Sequence, residues 1–136
     1  MRAFIDTNVL VSALIRKQGV SGLVLQHLRD GNFSIIYSVP IIVELVDVLS
    51  LPHIQHKYHV HSDDIIALIN IIRLRGELVI PEMQIDACRD ARDNRFLEAA
   101  IEGKADVILS GDADLLDMGA FEGISIVSVA EFLALL

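Results

Sequence analysis

The chain has no tryptophan, one cysteine and three prolines among its 136 residues, and aromatic side chains make up only 5%. The lone Cys88 excludes an internal disulfide. A small stapled scaffold is therefore ruled out, and a reducing compartment, by default the cytoplasm, is the expected location. No apolar run approaches the length needed to cross a bilayer, so no membrane association is expected. The N-terminal residues, one Arg and then an acid within a few positions, do not read as a signal peptide. Basic residues are scarce as well, with eleven Lys and Arg against nineteen Asp and Glu and a net charge of −8. That balance disfavours loose, charge-driven binding to nucleic acid. It is compatible with a nuclease, because acids gathered as metal ligands are neutralised by the ions they hold.

What is present is apolar substance, 53% of the residues, enough for one well-cored domain spanning residues 1–136. Short unalternating apolar runs at Ala3–Ile5, Phe33–Tyr37, Leu78–Ile80, Val107–Leu109 and Ile124–Val127 read as strands buried on both faces. Between them, apolar residues recur at helical spacing from Val9 to Ile15, Ser21 to Leu28, Pro40 to Leu49, Ile65 to Ile72, Asp93 to Ile101 and Val129 to Leu136. Ser38 is placed to cap the third of these and Ser62-Asp63-Asp64 the fourth. The stretch from Leu51 to His61 reads as irregular. Strand and helix alternation predicts an α/β fold with a central, mostly parallel sheet of about five strands and helices on both faces.

The acids fall at particular points of this map. Asp6 follows the first strand, Glu44 lies one turn into the helix after the second, Asp93 opens a late helix, and Asp112 and Asp114 follow the fourth strand. In a parallel sheet these points share the carboxyl edge, where α/β proteins bind ligands. Each acid taken singly reads as a helix cap or a solvated helix residue; random caps, however, would fall on both edges. Carboxylates crowded together raise one another's pKa unless a cation compensates. All-oxygen donors without a Cys or His motif favour Mg²⁺ or Mn²⁺. Such a site suits phosphoryl chemistry, with Thr7 and Ser110 supporting ligands or waters and Asn8 offering an amide to a carboxylate or phosphate.

The motifs Phe4-Ile5-Asp6-Thr7-Asn8-Val9-Leu10, Ser38-Val39-Pro40 with Glu44-Leu45, Asp93-Asn94-Arg95-Phe96-Leu97-Glu98 and Leu109-Ser110-Gly111-Asp112-Ala113-Asp114 together resemble PIN-domain ribonucleases. The resemblance is to the VapC-like toxins of toxin–antitoxin pairs, and it runs in order along nearly the whole chain. It implies a PIN-like three-layer α/β/α sandwich and a Mg²⁺- or Mn²⁺-dependent endoribonuclease acting on RNA. It further implies an antitoxin partner and a homodimer. By the family pattern Asp6, Glu44, Asp93 and Asp112 are the catalytic, metal-holding acids, with Asp114 an additional or alternative ligand. Ser110 stands where Thr is usual, and Ala91 where Pro is frequent.

Arg89, Arg92 and Arg95 flank Asp90 and Asp93 and are candidates either to grip RNA phosphates or to pair with the acids. Asp90 reads as a turn residue. His53, His56, His59 and His61 lack the Cys or acid that would complete a zinc shell and read as a solvated loop. Cys88 has no adjacent His to activate it. Two other functions are consistent with parts of the pattern. A haloacid-dehalogenase-type phosphatase would use Asp6 as nucleophile, but it needs an acid two positions later, where this chain has Asn8. A non-catalytic module binding RNA or protein would keep the pocket without using it.

Overall fold

In the computed structural model, which describes residues 1–88 and 90–136, strand β1 (Arg2–Ile5) lies inside a six-stranded sheet. On one side it pairs in parallel with β2 (Ser34–Tyr37), which pairs with the edge strand β3 (Gly76–Leu78). On the other side it pairs with β4 (Val107–Leu109), followed by β6 (Ile124–Val127) and, antiparallel at the far edge, β5 (Ala120–Phe121). Phe4 is in register with Ile36 and Ile108. The chain therefore leaves β1 toward β2 and β3 and later returns to β1's other flank. The carboxyl ends of β1 and β4 form a topological switch point.

Successive strand residues face opposite ways, and the two faces pack separate cores. Ala3, Ile5, Ile35, Val107, Leu109 and Val127 face one core. It is roofed by α1 (Thr7–Ile15), α2 (Val20–Arg29), α3 (Val39–Leu49), α5 (Ser62–Arg75) and α8 (Val129–Leu135). Phe4, Ile36, Ile108 and Ile126 face the other, covered chiefly by α6 (Ala91–Glu102) and α7 (Ala113–Met118). The result is the expected three-layer α/β/α sandwich. Its strands read as continuous apolar runs because both faces are covered. Among the described residues no helix is long and apolar enough to cross a membrane.

Several expectations are corrected. The segment read as irregular holds a helix, α4 (Pro52–Tyr58), with Pro52 in its first turn. None of its residues is buried, so it carries no apolar stripe to read. It ends at His59, which is left-handed at φ 53°. The third strand begins at Gly76 rather than Leu78, because α5 runs into it without a loop. The sixth strand, β5, is only two residues long; it turns into β6 through Glu122 (φ 50°) and Gly123 (φ 80°), the positive-φ pair a tight hairpin needs. Ser38 precedes α3 but makes no side-chain cap. His61, not Ser62, is the N-cap of α5, and its N–H donates to Asp64 at 2.9 Å.

The direct passage from α5 to β3 depends on Gly76. A Cβ there would stand 2.4 Å from the Ile72 carbonyl oxygen and 2.8 Å from that of Ile35, contacts that only backbone movement could relieve. Gly76→Ala is expected to lower unfolding stability by about 1–3 kcal/mol, the usual cost of overpacking. Gly111→Ala, whose methyl would meet nothing within 4 Å, should leave the urea midpoint unchanged.

Candidate active site

Asp6 is the residue after β1, and its own N–H continues the ladder to the Leu109 carbonyl at 2.9 Å. Neighbouring strands on both sides leave it 3% exposed. Its two oxygens are separately occupied. Oδ1 accepts the Asn8 N–H at 3.0 Å and so caps α1, while Oδ2 accepts the Ser110 hydroxyl at 2.8 Å. The Ser110 Oγ in turn accepts the Asp112 N–H at 3.0 Å, and Asp112 Oδ1 accepts the Asp114 N–H at 3.3 Å, capping α7. One hydroxyl therefore ties the ends of β1 and β4 together and orients two acids. The cap and the site are not alternatives here; Asp6 and Asp112 serve as both.

Asp93 reaches this edge from the first turn of α6 and is 8% exposed. The cap of α6 is Asp90, which accepts the Arg92 N–H at 2.9 Å and grips the Arg92 guanidinium, with Nη2 at 2.8 Å. On α3, Glu44 accepts the hydroxyl of the fully buried Thr7 at 3.3 Å. Asp6, Glu44, Asp93 and Asp112 line a single cleft of about 460 Å³, with Asn8, Ser12, Ser21, Asp90 and Arg92 also on its walls. Asp114 is exposed and lines a neighbouring hollow with Asp93 and Cys88. Arg95 lines a groove beside Glu44 and Arg92. Arg89 lies outside the described residues.

Burial and crowding set the electrostatics. Burial raises the Asp6 carboxyl above its usual range, opposed by the hydrogen bonds from Asn8 and Ser110. Asp93 is pushed from 3.8 to about 6, first by burial, then by the charge of Asp112 and a hydrogen bond shared with it. Asp90 is held low by its bonds to Arg92. Burial, followed by the charges of Asp93 and Asp112, raises the Cys88 thiol, so it is a poor nucleophile. Among the described residues, no group of three or more His, Cys, Asp or Glu side chains stands close enough to hold an ion in the arrangement seen; this includes the four histidines between 53 and 61. The chemistry of the donors nevertheless fits a hard divalent cation. They are carboxylates only, and two carry raised pKa values that a cation would bring down.

The PIN-domain family model matches residues 2–114. The chain belongs to the PIN-domain family. An uncharacterized protein of Methanocaldococcus jannaschii is 30% identical over 118 residues, covering 87% of this chain and 75% of the relative. As a class PIN domains are nucleases and generally use divalent metals, so this membership carries hydrolytic chemistry in its general form.

Some residues that line or support this PIN-domain cleft escaped the sequence. Asn94 is buried, and its Oδ1 accepts the N–H groups of Ala87 and Cys88 at 3.0 and 2.8 Å, which seats the loop leading to Asp90 and Asp93. Its signal was hidden by the adjacent acid. Ser12 lies one helical turn after Asn8, so helical spacing alone could have found it. Ser21 follows the break at Gly19, and no local pattern could place it.

Two outcomes are expected. The folded protein binds the Asp93 proton more tightly than the unfolded chain, for which the ordinary value is 3.8. The metal-free protein should therefore lose stability as pH rises from about 4 through about 6,. Thermal melts across that window should show the fall, and Asp93→Asn should flatten it. Ser110→Ala leaves Asp6 Oδ2 and the Asp112 N–H without their shared partner. It should cost about 1–3 kcal/mol in urea unfolding, whereas Ser110→Thr, which keeps the hydroxyl, should cost less.

Proposed function

We propose that this PIN domain is a Mg²⁺- or Mn²⁺-dependent endoribonuclease that hydrolyses RNA phosphodiester bonds. The observation that carries the reading is the convergence of Asp6, Glu44, Asp93 and Asp112 on one cleft at the switch point of the sheet. Asp6, Asp93 and Asp112 would hold the cation, with Glu44 completing its surroundings and Asp114 outside this group. A bound cation of this kind supplies Lewis acidity and lowers the pKa of its water.

The chain's own residues account for the rest. Ser110 keeps Asp6 and Asp112 oriented, and Thr7 holds the Glu44 carboxylate. The fork between Arg92 and Asp90 holds a guanidinium at the mouth of an acidic cleft. There it offsets negative charge that would repel a phosphate, and it can exchange Asp90 for a phosphate oxygen. Arg95 and, from the sequence, Arg89 extend the same role. Asn8 has no titratable proton to give, which leaves the phosphatase alternative without its general acid.

The resemblance to VapC-like toxins supports extending the reading to a toxin that works as a homodimer and is held inactive by an antitoxin. A small DNA-binding protein encoded beside this one would support that extension.

Purified protein with Mn²⁺ is expected to cleave single-stranded RNA and to stop when EDTA is added. Asp6→Asn and Asp93→Asn should each reduce the rate by at least about 100-fold, with the circular dichroism spectrum unchanged. Mn²⁺ should raise the melting temperature of the wild type and not that of a variant carrying both Asp6→Asn and Asp93→Asn. Cleavage persisting in both single variants would sink the assignment.

A further inference from the structure

The cleft has two chemically different walls. It sits over the strand ends, so helices from both outer layers of the sandwich border it. From the α6 layer come Asp90, Arg92 and Asp93; from the other come Asn8 and Ser12 on α1 and Ser21 on α2. The α1–α2 part of this second wall carries no charge; the carboxylate of the same layer is Glu44, on the neighbouring α3. Asn8 and Ser12 are one helical turn apart on α1, and α1 and α2 are closely packed neighbours. Asn8 is exposed, and Ser12 and Ser21 are half-buried, so all three side chains border the space rather than the core.

A nucleic acid divides its chemistry in the same way. The phosphodiester carries the charge and belongs with the guanidinium and cation side. The sugar and base are neutral and hydrogen-bond through donors and acceptors. We infer that Asn8, Ser12 and Ser21 form a nucleoside-binding wall that holds the ribose and base edge beside the scissile phosphate and selects RNA over DNA through the 2′-hydroxyl. This rests on the nuclease reading above and adds the part of the substrate it recognises. A serine hydroxyl is both donor and acceptor, as is the 2′-hydroxyl, so the two can pair in either direction. An Asn amide presents a donor and an acceptor side by side, the arrangement that reads a base edge. The volume of about 460 Å³ lies within the roughly 300–1,000 Å³ typical of pockets that enclose a small-molecule-sized group. Sites built to hydrogen-bond a hydroxyl discriminate against the analogue that lacks it.

The test uses Ser12→Ala/Ser21→Ala. Alanine is the better helix former, so the fold is not at risk. Binding of a short single-stranded RNA and of DNA of the same sequence is measured with Mn²⁺ in an Asp93→Asn background, with and without the double substitution. The expected result is tighter binding of RNA than DNA before substitution. Losing the two hydroxyls should weaken RNA binding about three- to tenfold per group, the scale of one neutral hydrogen bond, with DNA binding unchanged. In the otherwise wild-type enzyme the double variant should raise KM for RNA at nearly constant kcat, and Ser12→Thr should keep most of the RNA preference. An RNA-to-DNA binding ratio untouched by the double substitution overturns the inference even if RNA is cleaved. Failure of the wild type to cleave RNA overturns the hydrolytic reading, while the binding ratio still decides this one.

Discussion

The hydroxyl of Ser110 is the contact on which the site depends. It donates to Asp6 at 2.8 Å and accepts the Asp112 N–H at 3.0 Å. Its own backbone N–H is bound to the Val127 carbonyl at 3.1 Å. One small residue therefore links the ends of three parallel strands, and its hydroxyl fixes two carboxylates whose charges oppose each other. The bond is fully buried, where an unmade hydrogen bond costs more than a made one gains. That asymmetry keeps Asp6 in one orientation even though burial favours its neutral form.

The sheet makes this bond reachable. β1 and β4 are far apart in the chain but adjacent in the sheet, because the chain builds β2 and β3 on one flank of β1 before crossing to the other. The two cores, one on each face, hold the strands in register. Loops at the carboxyl ends remain at the surface and free to carry polar groups. Asp6 and Asp112 come from those ends. Asp93 arrives from α6, whose approach is set by Phe96, Leu97 and Ala100 packing on the second core.

The electrostatics resolve the tension between a net charge of −8 and a polyanionic substrate. Much of the relevant negative charge is concentrated in one cleft, and in a metal-free protein part of it is lost as pH falls through about 6, where Asp93 takes up its proton. Arg92 brings a positive group to the same cleft, already paired with Asp90. Global charge bears on solubility and long-range attraction, whereas local placement decides what the cleft holds.

The amino-acid sequence alone determined the layer architecture, because strands buried on both faces must be continuous apolar runs and the helices between them must be amphipathic. It also determined that Asp6, Asp93 and Asp112 lie at one sheet edge, since each follows a strand or opens a helix. Elements without buried residues left little or no such mark: α4 has no buried residue, β5 has two residues, and the exposed edge strand β3 showed only through the apolar run at its end. Only the tertiary structure decided that Asp114 lines a hollow beside the cleft while Glu44 lines the cleft itself, that Arg92 pairs with Asp90, and that Asn94 seats the loop before the acids. It alone brought Ser12 and Ser21 from two helices to one wall. The physical reason is that these are contacts between side chains from different elements, and hydrophobic periodicity records which face a residue takes, not which distant residue it meets.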